Sequence, residues 1–238
     1  MRIKELLVDK VVRNRFGIEL LDDGELGTFI NPYSYLFLRK NLSLFSKIDR
    51  IYVDGIVLVL LLSCVGIYTK RASFDMTSLA PKVIQDCIDA KYSIYFIGST
   101  QKAILDFTNL IKQEWPNLNL AGFRNGYFNN FEERRKALQT IINANPAVVV
   151  VGMGTPYQEK FLADLKSSGY KGKGYTCGGF IHQTTRKVNY YPKFFDVNNL
   201  RWLYRMIDEP KLILRYLLYY PLSICLFTFD SIRHQFRR

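Results

Sequence analysis

The chain has 238 residues, 48% hydrophobic and 23% charged, which excludes a disordered polymer and allows a full buried core. Its formal net charge of +12 calls for an anionic partner: nucleic acid, a membrane surface or phosphorylated substrates. Four scattered cysteines (Cys64, Cys87, Cys177, Cys225) with no Cys-x-x-Cys pair exclude a disulfide framework and read as small buried hydrophobes in a reducing compartment.

At the amino end, residues 1–10 lack the long apolar core of a signal peptide. Strand-like runs then recur, each closed by a turn signal. Residues 27–31 end at Asn31-Pro32, 50–54 at Asp54-Gly55, and 93–97 at Gly98-Ser99-Thr100. Residues 119–123 run into Arg124-Asn125-Gly126, 147–151 into Gly152-Met153-Gly154, and 174–177 into Gly178-Gly179. Between them lie amphipathic helical patterns at 103–115, 130–142 and 156–165. The alternation predicts an α/β fold: a Rossmann-like, mostly parallel sheet flanked by helices. In such sheets ligands sit outside the carboxyl ends of the strands, which gathers Asn31, Asp54, Gly98, Gly126, Gly152–Thr155 and Gly178-Gly179 along one edge.

The stretch 147–160 carries the sharpest local signal. Four valines read as a strand buried on both faces, and Gly152 and Gly154 let the backbone turn tightly. Thr155 is the expected N-cap of the next helix, with Pro156 at its first position and Gln158 closing a Thr-x-x-Gln capping box. A glycine loop leading into a helix N-terminus is suited to an anion, although any α/β fold also needs tight loops of this kind.

Asp54 ends a strand on the ligand edge, where a carboxylate could take a proton from an attacking hydroxyl. Asp-Gly is equally a common turn, and Asp54 could cap the helix beginning near Ile56. Gln158 is open between capping-box member and sugar ligand, Arg71 between phosphate contact and solvated turn, and Tyr127 between base-stacking ring and core aromatic. No Gly-x-Gly-x-x-Gly and no Walker lysine follows any strand, which disfavours nicotinamide-dependent and P-loop chemistry. With two histidines, neither a metal site nor a Ser-His-Asp triad has support.

From about residue 198 the alternation stops, and a helical, basic, aromatic tail takes over. The reading is a core over 1–197 and an appendage over 198–238. Arg201 and Arg205 share one helix face, Leu200, Leu203 and Ile207 another, and Lys211 and Arg215 repeat the four-residue spacing. Basic groups beside aromatic and aliphatic bulk suit an anionic membrane surface better than nucleic acid. The most apolar runs, 56–62 and 217–229, are too short to span a bilayer, so a peripheral, cytoplasmic protein is expected. A homo-oligomer is compatible with this sequence.

The collinear order of Asn31-Pro32, Val53-Asp54-Gly55-Ile56, Tyr95-Phe96-Ile97-Gly98, Gly122-x-x-x-Gly126-Tyr127-Phe128, Val151-Gly152-Met153-Gly154-Thr155-Pro156-Tyr157-Gln158-Glu159, Gly178-Gly179, Trp202-Leu203-Tyr204-Arg205, Glu209-Pro210 and Arg215-Tyr216 resembles the WecG/TagA/CpsF glycosyltransferase family (glycosyltransferase family 26). The resemblance runs from Gly27 to Tyr220 and implies a metal-independent, inverting transferase without a cofactor. Its members move a sugar, commonly N-acetylmannosamine or a uronic acid, from a UDP donor to a lipid-diphosphate-linked sugar on the cytoplasmic membrane face. The family's proposed base falls on Asp54 and its glutamine on Gln158, with Glu159 beside it in the substrate-binding set. Its membrane-docking, diphosphate-covering appendage falls on Arg205, Lys211 and Arg215, with Arg201 one turn before. Departures occur at Phe29, where members often carry Thr, at Lys70–Asp75, where the family's arginine matches Arg71 or Lys70, and at Phe180-Ile181-His182. The rival from another class is a non-catalytic nucleotide-sugar or membrane-binding scaffold of a polysaccharide assembly complex.

Overall fold

Val148 to Val151 have no exposed surface, and helices cover both sides of the strand they form. A computed structural model describes residues 2–14, 17–186, 190–198 and 200–235. In chain order the elements are α1 (Ile3–Lys10), β1 (Leu26–Ile30), α2 (Pro32–Lys40), α3 (Leu42–Phe45), β2 (Arg50–Val53), α4 (Ile56–Cys64) and α5 (Ala80–Asp89). There follow β3 (Ser93–Gly98), α6 (Gln101–Glu114), β4 (Asn119–Arg124), α7 (Phe131–Ala144), β5 (Val148–Gly152), α8 (Tyr157–Ser167), β6 (Lys173–Thr176) and α9 (Phe180–Arg186). The tail adds α10 (Lys193–Val197), α11 (Arg201–Asp208), a 3-10 turn at Pro210–Leu212, a π-helical turn at Arg215–Tyr219, and α12 (Tyr220–Gln235).

All six strands are parallel, in the order β2-β1-β6-β5-β3-β4. Each strand boundary falls within one residue of the sequence expectation, because every strand is an apolar run closed by Gly, Asn or Asp. Helices α5, α6 and α9 pack on one face, through Val83, Ile84, Phe107, Ile111, Phe180 and Ile181. The other face is covered by α1, α2 and α4 at one end and by α7 and α8 at the other. Neighbouring β1 and β6 therefore send their chains to opposite faces, through α2 and α9. That divergence is a topological switch point, which opens a crevice at the strand ends.

Two expectations are corrected here. Helix α8 starts at Tyr157 with Pro156 as its N-cap and no side-chain cap bond, after a cis Thr155-Pro156 peptide. The Thr155 hydroxyl instead donates to the buried Glu159 carboxylate at 3.0 Å and accepts from Gln158 Nε2 at 3.3 Å. The apolar run at 217–229 belongs to a longer helical stretch, Pro210–Ile232, whose 23 residues are long and apolar enough, by length and composition, to cross a membrane. Within it, Phe227 is buried against Tyr35 of α2, and Asp230 receives hydrogen bonds from Arg39 and Tyr35.

Candidate active site

Two cavities open at the carboxyl rim of the sheet, and they share Asn31, Asp54, Tyr191 and Arg205. The larger, about 550 Å³, is walled by the loops after β1, β2, β5 and β6, and closed over by tail residues including Lys211 and Arg215. The smaller, about 270 Å³, lies between the start of α4 and the tail, and most of its wall is apolar.

Asp54 stands at the seam. Its N–H donates to the Ile30 carbonyl at 2.7 Å, fixing it at the end of β2. Gly55, at φ +106, then turns the chain into α4, a conformation glycine adopts without penalty. The cap reading for Asp54 is corrected: Gly55 is the N-cap of α4 and no side chain caps that helix. Burial, and after it the charge of Asp75, hold the Asp54 carboxyl above its ordinary range, while Arg71, Arg201 and Arg205 pull it back. A half-buried carboxylate, raised and without a hydrogen-bonding side chain among the described residues, is a group able to accept a proton.

Asn31 caps α2, its side chain accepting from the Ser34 N–H at 3.0 Å, and lines both cavities. Gly154, Thr155, Gln158, Gly178 and Gly179 all line the large cleft. Gln158 is buried: its Oε1 accepts from the Gly178 N–H at 3.2 Å and its Nε2 donates to Thr155 Oγ1 and Glu159 Oε1. It thus staples the β5 loop to the β6 loop. Glu159 lies beneath the cleft with no exposed surface, accepting on Oε1 from Thr28 at 2.7 Å as well as from Thr155 and Gln158. Burial pushes its carboxyl up, and Oε2 is buried without a partner.

Gly98, Gly126 and Gly152 pack against one another instead of facing the cleft. A Cβ on Gly98 would stand 2.4 Å from the Gly152 carbonyl oxygen, and one on Gly126 would stand 3.0 Å from the Gly98 Cα. Tyr127 lines the cleft and is 69% exposed, which corrects the core reading and leaves its ring free for a ligand.

The tail arginines differ from the expectation most. Arg201, expected at a membrane surface, is buried; it pairs with Asp75 at 2.6 Å and Asp196 at 2.5 Å and reaches Ser73 and Thr77. Two carboxylates inside the fold outcompete any surface anion for it. Arg71 is not a solvated turn residue: it pairs with Asp196 at 3.1 Å and lines the smaller cavity. Arg205 pairs with Glu209 at 3.3 Å, and Arg215 sits 4.1 Å from the centre of the Tyr33 ring. Lys211 is the most exposed of the set. The cationic face of α11 therefore points inward, and Ile207, Leu214, Leu217 and Leu218 point to solvent, each more than 60% exposed.

Tyr191 and Asp75 escaped the sequence reading. Tyr191 lines both cavities, with Arg201 stacked 4.5 Å from its ring centre. Its signal was the Tyr190-Tyr191-Pro192 break before the tail; that of Asp75 was its place one residue after Phe74 in the Lys70–Asp75 run. Among the described residues no three His, Cys, Asp or Glu side chains form a group that could hold a metal ion.

A parallel α/β sheet with a polar cleft at its switch point and a carboxylate between two cavities defines an α/β protein built to hold a ligand at its carboxyl rim. The chain belongs to the glycosyl transferase WecG/TagA/CpsF family, whose model matches residues 10–237. It is 34% identical over 212 residues, 89% of each chain, to the UDP-Gal:alpha-D-GlcNAc-diphosphoundecaprenol beta-1,4-galactosyltransferase of Shigella boydii. It is 27% identical to two N-acetylglucosaminyldiphosphoundecaprenol N-acetyl-beta-D-mannosaminyltransferases. The one from Bacillus spizizenii (strain ATCC 23059 / NRRL B-14472 / W23) aligns over 69% of this chain and 63% of its own. That of Bacillus subtilis (strain 168) aligns over 79% and 73%.

Proposed function

We propose that this protein is an inverting hexosyltransferase. It moves a hexose from a UDP donor to the N-acetylglucosamine of a lipid diphosphate, at the cytoplasmic face of a bacterial inner membrane. The observation that carries the reading is the position of Asp54 at the seam of a polar cleft and an apolar-walled one. A transferase with a soluble donor and a lipid acceptor needs its base between two such spaces.

In this reading the UDP-sugar lies in the larger cleft, near the loops at Gly154, Thr155, Gly178 and Gly179 and over the exposed Tyr127. The acceptor hydroxyl approaches from the smaller cavity. Asp54 takes its proton as the oxygen bonds to the anomeric carbon; the bond from that carbon to the phosphate oxygen breaks, and its electron pair leaves with UDP. One in-line displacement inverts the centre, in accord with the beta products in the relatives' names, since UDP-hexose donors are commonly α-linked. Arg205, Lys211 and Arg215 offset the charge gained by the leaving diphosphate. Residues 198–238 act as the acceptor- and membrane-binding part, the apolar side of 210–232 lying in the bilayer surface.

The test is an assay of purified protein with UDP-galactose, UDP-N-acetylmannosamine and a UDP-uronic acid, each with N-acetylglucosaminyl diphosphate lipids, with and without EDTA. Transfer that survives EDTA is the expected result. Binding of UDP-sugars without transfer to any lipid would favour the scaffold alternative, and strict divalent dependence would contradict the metal-free mechanism.

A further inference from the structure

We infer that the smaller cavity is an isoprenyl subsite: it takes the first unit of the acceptor's lipid chain, with the diphosphate seated between Arg71 and Arg205. The inference rests on the transferase reading and adds a lipid-recognising wall to it.

Two observations meet here. The cavity's far wall is made by Ile56 and Val57 of α4 and by Trp202, Met206 and Leu217 of the tail. Helix α4 reads Ile-Val-Leu-Val-Leu-Leu-Leu, with no polar face, and it goes on to expose Leu60 at 57%. A helix apolar all round, yet standing at the surface, has an unpartnered side. Leu217 and its neighbour Leu218 are each 61% exposed, so the apolar wall continues outward on the tail side as well. A chain leaving the cavity thus stays in contact with hydrocarbon.

At the other end, Arg71 Nη1 and Arg205 Nε are buried and have no hydrogen-bond partner. Both residues line this cavity, and orphaned guanidinium nitrogens are uncommon in a finished fold and ask for an acceptor with several oxygens. Charge at one end and hydrocarbon at the other match an amphiphile whose anionic group joins directly to an isoprenoid. A free phosphate would leave the apolar wall empty; a fatty chain without a diphosphate would leave the two nitrogens unpaired.

The experiment compares two acceptors in detergent-free buffer: N-acetylglucosaminyl diphosphate carrying a farnesyl chain, and the same diphosphate carrying a methyl group. The readout is the ratio of their kcat/KM values for wild type, Met206→Asp and Trp202→Ala. Wild type should favour the farnesyl acceptor by at least about tenfold, and the ratio should fall below about threefold in either variant. Because both acceptors report on the same enzyme, a general loss of activity cancels in the ratio. Trp202 is 40% exposed, so its truncation leaves a foldable protein if the aspartate does not. A wild-type ratio near one, or a preference kept in both variants, overturns the subsite while leaving the transferase standing. Wild-type protein inactive on both acceptors with every UDP-hexose overturns the transferase reading and the subsite with it.

Discussion

Asp75 and Arg201 lie 126 residues apart in sequence, and their side chains meet at 2.6 Å. With Asp196 on its other side, the guanidinium joins the segment between α4 and α5 to the start of the tail, and all three carry little exposed surface. Replacing Arg201 by Met should cost about 3–5 kcal/mol, because Asp75 would be left in the interior without its cation and Asp196 with Arg71 alone. Arg201→Lys should recover only part of that, since an ammonium cannot span both acids and two hydroxyls. Urea unfolding of the three proteins checks the order.

Asp54 gives a pH dependence whose sign can be worked out. The base acts when ionised, and burial with Asp75 raises its pKa, so kcat/KM should fall on the acid side at a pH above the usual aspartate value of 3.8. Asp75→Asn removes a repelling charge and should move that limb to lower pH. Asp54→Asn should lower kcat by about 10²–10⁴. For stability the sign is opposite to that of a salt-bridged acid: a raised carboxyl favours the fold while protonated, and the benefit is lost as pH rises through its folded pKa. At pH 7 the asparagine variant should therefore melt at or above the wild-type temperature, which calorimetry would show.

Glu159 offers a different separation. Three donors converge on one of its oxygens, and they belong to β1, to the loop after β5 and to the first turn of α8, which flank the larger cleft. Glu159→Ala should raise the KM for the UDP-sugar about tenfold, the equivalent of ~1.4 kcal/mol, and leave the acceptor KM within about twofold. Glu159→Gln keeps an accepting oxygen and should restore most of the donor affinity. Equal damage to both substrates' KM values would mean a general loss of structure.

The sheet was readable because each strand is an apolar run that ends in a turn residue, and a parallel strand carries its own signature. Helix α2 was missed although Asn31, Pro32 and Ser34 spell its cap, since Asn-Pro reads equally as a turn. At the site, loop positions followed from the rule for open α/β sheets, but side-chain direction did not. Gly98 and Gly152 look like ligand loops and are a backbone contact. Arg201 and Arg205 share a helical face, and no local pattern says whether that face turns to solvent or to Asp75 and Glu209. For Arg201 the choice is made by Asp75, 126 residues away in the chain.

Outward-facing apolar residues make a statement about membranes that salt can test. Leu217→Asp with Leu218→Asp should weaken binding to anionic vesicles at least about tenfold, given ~1.5–3 kcal/mol for each buried leucine. Raising the salt should weaken wild-type binding far less than that, since Arg201, Arg205 and Arg215 are engaged within the fold and leave Lys211 as the exposed cation of the four. Sedimentation with vesicles at low and high ionic strength separates the two contributions. Release by salt alone would point to lysine and arginine contacts instead.

A methyl group on Gly98 would run into the Gly152 carbonyl and one on Gly152 into Cys177 Sγ, whereas nothing lies within 4 Å of the Cβ positions of Gly154 and Gly178. The latter two hold φ of +75 and +54, a region that asparagine and aspartate also visit. The rim therefore has a frozen hinge and an editable lip. If the donor lies as proposed, divergence toward new donor sugars has its cheapest route at the lip, by adding one short amide or acid that meets a hydroxyl, while Gly98 and Gly152 have no room to change.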